Sequence, residues 1–300
     1  MSEPVRDRWA DWLLERRDGG DPEIKRAFLD FIAPVRDRVL DKADLSDGET
    51  LLDVGAGDGL IAFGAVELVG AGGRVIFDDV SQYLLEHSRA LAEEMGVLDR
   101  CEFLLAPADD LSALEEGSVD AVTTRSVLIY VEDKRRAFEE FHRVLKPGGR
   151  LSVFEPINSF TYPEPPHLFR GFDMTPVQDI VRKIRTVYER IQPYETDPML
   201  NFDERDLLHL ADEAGFEEVY LDYEAEIVSG KPLWGIREWE ALLKSSGNPK
   251  IPTLEEAMAE ALTPDETERF TEHLRPLVEN ARRKARSAVV YLKAIKARES

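Results

Sequence analysis

The stretch Leu51-Leu52-Asp53-Val54-Gly55-Ala56-Gly57-Asp58-Gly59 constrains this chain more than any other. An apolar run suited to a short strand breaks into glycines at alternate positions, and an apolar helical pattern over 60–69 follows at once. A buried strand that turns through glycine into a helix is the opening unit of a parallel sheet. Glycine lets the backbone of the turn approach a ligand without a Cβ in the way. The helix N-terminus adds unpaired N–H donors. In open sheets of this kind, ligands sit beyond the carboxyl ends of the strands.

The alternation continues down the chain. Strands are expected at 50–54, 74–77, 102–105, 119–123 and 150–154, with helices at 60–69, 82–95 and 134–145 between them. Pro147-Gly148-Gly149 stops the last of these helices. The fold class read from this pattern is α/β: a doubly wound, mostly parallel, seven-stranded sheet with N-terminal helices and a helical cap from two insertions. Residues 1–45 read as the N-terminal helical segment, with Trp9, Trp12 and Leu13 on one face and Pro34 predicting a kink or break in the second helix. The core is expected to span 46–228 and 287–300. A lid insertion rich in proline and aromatics (156–200) lies within it, and a helical insertion (229–286) completes the cap. A strand at 218–227 and a last strand at 289–295, where a helix is the alternative, close the sheet.

Composition narrows the partners. A hydrophobic content of 43% supplies a sizeable core, while a net charge of −22 repels nucleic-acid phosphates and anionic membranes, so neither is expected as a partner. The basic run Arg282, Arg283, Lys284, Arg286 reads as a solvated helix face. The single cysteine, Cys101, excludes an intrachain disulfide and a cysteine-based zinc site. Histidines lack ligand spacing, so no metal is expected. No run is long and apolar enough for a membrane span, and the opening MSEPVRDRWADW lacks the apolar centre of a secretory signal; a cytoplasmic setting is the expectation. Oligomeric state stays open, a homodimer included.

The glycine turn selects among ligands. A dinucleotide fingerprint, G-x-G-x-x-G counted from Gly55, would need glycine where Leu60 stands, and no G-K-[ST] follows to make a P-loop. The match that does extend along the chain is to another family. LLDVGAGDG, then VIFDDVSQYLLEHSR, then FLLAPADDL, then SVDAVTTRSVLIYVEDKRRAFEEFHRVLKPGGRLSVFEP resemble, in order and spacing, the class I S-adenosylmethionine (SAM)-dependent methyltransferases of the ubiquinone/menaquinone-methylase-like type. The resemblance covers about residues 45–155.

The resemblance implies a cofactor site. Gly55, Ala56 and Gly57 would pack on the methionine–ribose portion of SAM, or of its product S-adenosylhomocysteine, with Asp53 near the amino-acid end. Asp79 would accept the ribose hydroxyls and Val80 would pack on the adenine. Ala108, through its N–H, and Asp109 would read the adenine edge; Pro107 stands where many relatives carry an acid. Thr124 and Arg125 would line the methionine end and the transfer chamber, and Arg125 could pair with a carboxylate of cofactor or substrate.

Methyl transfer from a sulfonium is an in-line displacement that positioning can accelerate, so a general base is not required. Glu155, His167 and Tyr130 are the weak candidates for one. Trp9, Trp12, Phe169, Phe172, Tyr188, Trp234 and Trp239 are candidate pocket lining, each with packing of the cap as the alternative. The function read from the sequence is transfer of a methyl group from SAM to an O, N or C atom of a small-molecule acceptor. The alternatives are methylation of a protein or peptide side chain and, from another class, non-catalytic SAM binding.

Overall fold

The computed structural model describes residues 5–233 and 235–298, so Trp234 lies outside the described residues. Helix α1 (Arg8–Asp11) starts on Asp7, whose carboxylate accepts the N–H groups of Trp9 and Ala10, and runs into a π-helical turn, Trp12–Arg16. Helix α2 (Pro22–Ala43) starts on the Asp21 cap with proline in its first turn. Pro34 sits inside this helix without ending it, so the break into two pieces expected there does not occur. The one ladder bond that proline forfeits points at the carbonyl of Asp30, an exposed residue.

The alternating region follows as β1 (Thr50–Val54), α3 (Leu60–Leu68), β2 (Arg74–Asp79), α4 (Gln82–Glu94), β3 (Cys101–Leu105), β4 (Val119–Arg125), α5 (Lys134–Val144) and β5 (Leu145–Pro156). A two-residue hairpin pair, β6 (Leu168–Phe169) and β7 (Phe172–Asp173), leads to α6 (Gln178–Ile191), α7 (Glu204–Glu213) and β8 (Glu218–Ser229). Helices α8 (Trp239–Lys244), α9 (Leu254–Ala261) and α10 (Pro264–Glu279) precede β9 (Lys284–Ile295).

The strands form one seven-stranded sheet in the order β3-β2-β1-β4-β5-β9-β8. Neighbours are parallel from β3 to β5, and β9 runs antiparallel to both β5 and β8. Several boundaries differ from expectation, two of them by five residues. Strand β5 already begins at Leu145 and carries the Pro-Gly-Gly turn within it, at a register irregularity against β4 between Val119 and Ala121. Strand β9 begins at Lys284, inside the stretch read as helical insertion. Lys284, Ala285 and Arg286 pair with Ser229, Val228 and Ile227, so the basic run is not a helix face.

Period-two alternation places each strand's side chains on two faces. Leu52, Val54, Ile76, Val122 and Leu151 pack with Phe138 and Phe141 of α5, whereas Leu51, Val75 and Phe77 pack with Ile61 and Ala65 of α3 and Val39 of α2. A separate apolar cluster unites the two insertions: Phe169 and Phe172, Ile180 and Ile184 of α6, Leu242 of α8, Leu254 of α9 and Phe270 and Leu274 of α10. No helix among the described residues is long and apolar enough to cross a membrane.

Arg150 ties α2 to the sheet. Its guanidinium donates to the carbonyls of Ala43 and Asp44 at the helix end and to Glu49 at 2.9 Å. Arg150→Met takes a donor from both helix carbonyls and the ion-pair partner from Glu49, which keeps only the Ser46 N–H among the described residues. The expected loss is about 1–3 kcal/mol in chemical denaturation; a change within measurement error would show that the clamp is idle.

Candidate functional site

Strand β1 has β2 on one side and β4 on the other. The chain after β1 winds over one face and the chain after β4 over the other, which opens a crevice at the carboxyl edge. A cavity of about 750 Å³ occupies that place. Its floor comes from the ends of the strands: Val54, Gly55 and Gly57 at β1, Asp78, Asp79 and Val80 at β2, Ala106 to Asp109 after β3, and Arg125 to Val127 and Ile129 to Glu132 at β4. The N-terminal segment forms a roof with Trp9, Trp12, Leu13 and Arg17. The two insertions close the far end with Tyr162, Arg170, Tyr188, Tyr194, Asn248 and Lys250.

The turn requires its glycines twice over. Gly55, Gly57 and Gly59 have φ of 66°, 59° and 82°, where a Cβ is strained. A Cβ on Gly55 would lie 2.3 Å from Val127 Cγ2, and one on Gly57 would crowd Leu13 of the roof at 3.1 Å. Asp79 fixes the turn from the next strand: one oxygen accepts the Gly57 N–H and the other the Ser81 N–H, at 2.9 and 2.8 Å. A carboxylate has further lone-pair directions, so Asp79 can accept from a ligand as well.

The sequence-selected cofactor residues divide in two. Gly55, Gly57, Asp79, Val80, Ala108, Asp109 and Arg125 line the cavity together. Asp53, Ala56 and Thr124 lie behind its wall. Asp53 points into the sheet, where its oxygens accept the Thr123 hydroxyl at 2.7 Å and the Ala62 N–H at 3.1 Å. Burial pushes its carboxyl up to about 7, against the downward pull of the Thr123 hydrogen bond. Ala56 donates its N–H to the Asp78 carbonyl, and Thr124 is fully buried.

The weak catalytic candidates also separate. Glu155 is fully buried behind the cavity, where one oxygen accepts the N–H groups of Val127 and Leu128 at 2.9 and 2.8 Å; it pins the turn after β4. His167 is exposed in the first insertion, away from the cavity lining. Tyr130 does face the cavity, edge-on to Trp9 at 4.9 Å between ring centroids. Burial, then the nearby Glu155 charge, pushes its hydroxyl upward. Among the aromatics, Trp9, Trp12 and Tyr188 line the cavity, whereas Phe169, Phe172 and Trp239 are buried in the cap core.

Two lining residues escape a reading of the sequence. Asp78 is buried at the end of β2, and neither of its oxygens has a hydrogen-bond partner, the Ala106 N–H acting on it only at longer range. Burial, then the charges of Asp79 and Asp53, holds this carboxyl well above its ordinary range. The doubled acid in VIFDDV, at the end of an otherwise apolar strand, was the available signal. Arg17 stands in the polar string Glu15-Arg16-Arg17-Asp18, which looks solvated and offers no signal at all.

Comparisons with known proteins agree with this geometry. A family model described as a methyltransferase domain matches residues 52–153. The ubiquinone/menaquinone biosynthesis C-methyltransferase UbiE of Klebsiella pneumoniae subsp. pneumoniae is 29% identical over 197 residues, spanning 63% of this chain and 75% of that protein. Among solved structures, YcgJ of Bacillus subtilis aligns with a TM-score of 0.52 at 16% identity, covering 91% of this chain and 99% of its own. The [4+2]-cyclase SpnF aligns with a TM-score of 0.53 at 21% identity, covering 89% and 81%. These likenesses concern the fold.

The raised Asp53 carboxyl gives the protein a pH signature. The unfolded chain releases this proton near 3.8, whereas the folded chain keeps it up to about 7. The folded state therefore binds more protons between those values, and the stability it gains below them is lost as pH rises through that window. Asp53→Asn keeps an acceptor for Ala62 and gains a donor for the Thr123 hydroxyl, so it removes this dependence. Denaturation at about pH 5 and about pH 8 should show wild type losing more stability than Asp53→Asn. Equal losses in both proteins would refute the assignment.

Proposed function

The chain is a class I S-adenosylmethionine-dependent methyltransferase, and from that premise we propose that its edge cavity holds the cofactor and a small-molecule acceptor side by side. One observation carries the reading: the glycine turn and Asp79 meet in a roofed cavity large enough for both.

The residues present fit a cationic sulfur nucleoside. The turn is locked in left-handed backbone by its glycines, which lets a ligand approach the backbone without a Cβ in the way. The wall nearby carries Asp78 and Asp79, acids that would repel a phosphate and suit a cation with a ribose diol. In this reading Asp79 accepts the ribose hydroxyls, Val80 covers one face of the adenine, and Ala108 and Asp109 meet its edge. Asp53, Ala56 and Thr124 support the wall from behind, with Asp53 holding the first turn of α3 in place.

When bound, the cofactor supplies a methyl carbon on a sulfonium, a leaving group that needs no acid. The protein's work is therefore to position and to dry. The acceptor atom must be held about 3–3.5 Å from the methyl carbon and opposite the sulfur. Trp9, Trp12 and Leu13 roof this space, and the insertions close its far end, so water is excluded around the reacting groups. Tyr130, kept protonated, donates a hydrogen bond into the chamber and orients the acceptor. Enclosure and aromatic lining favour a small molecule over a peptide chain, which would need an open groove. The acidic composition and the lone cysteine support a cytoplasmic setting.

Isothermal calorimetry with SAM, S-adenosylhomocysteine and NAD tests the reading, with binding of the first two and none of the third expected. Asp79→Ala should weaken S-adenosylhomocysteine by about 1.5–3 kcal/mol, the range for hydrogen bonds to a charged group. Unchanged affinity in a variant that melts like wild type would remove the ribose assignment.

A further inference from the structure

Arg17 is 8% exposed and faces the cavity from the roof. Its guanidinium lies over the Phe28 ring at 4.3 Å and near the Trp12 ring at 5.9 Å, and its Nε and Nη2 have no hydrogen-bond partner. Among the described residues it makes no ion pair. Asp18 spends one oxygen on the Gly20 N–H, and Asp18 and Asp58 act on Arg17 only through their fields. Arg125, at the end of β4, faces the same cavity and likewise has no ion pair or hydrogen bond among the described residues. The two positive charges oppose each other.

Burying the Arg17 guanidinium without an anion is costly, and the half-buried Arg125 charge on the same cavity adds to that cost. Such a pair persists where a ligand brings the missing charge. The cofactor brings one carboxylate, but also a sulfonium and an ammonium, so it cannot balance both arginines. Asp18 and Asp58 reach Arg17 only through their fields, so a directly hydrogen-bonded anion is left for the acceptor to bring. Guanidinium forks match a planar carboxylate, and the faces around them are aromatic: Trp9, Trp12, Phe28 and Tyr130. We propose that Arg17 and Arg125 clamp the carboxylate of the methyl acceptor, and that the acceptor is a small aromatic acid. This rests on the cavity being the methyl-transfer chamber, as argued above.

The test pairs aromatic acids with their amides: benzoic, 4-hydroxybenzoic, 3,4-dihydroxybenzoic, salicylic and phenylacetic acids against the five matching amides. Each is titrated into the protein saturated with S-adenosylhomocysteine, with tryptophan fluorescence as readout. At least one acid should bind about tenfold or more tighter than its amide. Arg17→Gln should erase that preference and Arg17→Lys should keep part of it, with affinity for S-adenosylhomocysteine within about threefold of wild type in both. No acid preference in any pair overturns the clamp.

A second arm separates the two sources of carboxylate. The probe is the S-adenosylhomocysteine analogue lacking its carboxylate, 5′-deoxy-5′-(3-aminopropylthio)adenosine. If Arg17→Gln weakens S-adenosylhomocysteine about tenfold and spares this analogue, Arg17 holds the cofactor's own carboxylate and the proposal is overturned. Wild-type protein that binds no S-adenosylhomocysteine overturns the cofactor reading and the clamp with it. Binding without acid preference overturns the clamp alone.

Discussion

The structure depends on one backbone constraint, the left-handed passage through Gly55, Gly57 and Gly59 at the end of β1. That passage sends α3 to one face of the sheet while the chain beyond β4 builds α5 on the other. The crevice between the two windings follows from this divergence. Asp79 then clips the turn to the neighbouring strand by accepting the Gly57 N–H. The alternatives at these positions are strained: a side chain at Gly55 meets Val127, and one at Gly59 meets Phe63. Glu155 holds Val127 and Leu128 in place by their N–H groups, so the floor is braced from below by a buried carboxylate.

The fold was legible because its signals are local. Strand, glycine turn and helix each write themselves into adjacent residues, and the repeated pattern from Leu51 to Glu155 left little room for another topology. The errors arose where tertiary pairing outranked local pattern. Arg282 to Arg286 looked like a helix because basic residues follow a helical stretch, but β8 offers a full ladder and the chain takes it from Lys284. Pro34 reads as a breaker, yet it costs the helix one ladder bond and the helix runs on through it.

The site was legible only in part. Residues that follow a strand end, such as Asp79, Val80 and Asp109, could be located by counting along the chain. Asp53 was misjudged in direction, since alternation alone does not reveal that Thr123 and Ala62 draw its carboxylate away from the cavity. Arg17 was invisible, because its importance comes from facing Arg125 across a cavity that neither residue's neighbours announce. Phe169, Phe172 and Trp239 show the same limit from the other side: an aromatic in an insertion has the same sequence signature whether it touches a ligand or holds the insertions together.

The roof and the far wall come from passages outside residues 52–153, the part matched by the methyltransferase family model. Such a molecule can exchange one clientele for another by rewriting its covering while its nucleoside berth stays untouched. Kinship measured over the berth is therefore a poor guide to diet, and two cousins that score as close there can feed on unrelated compounds.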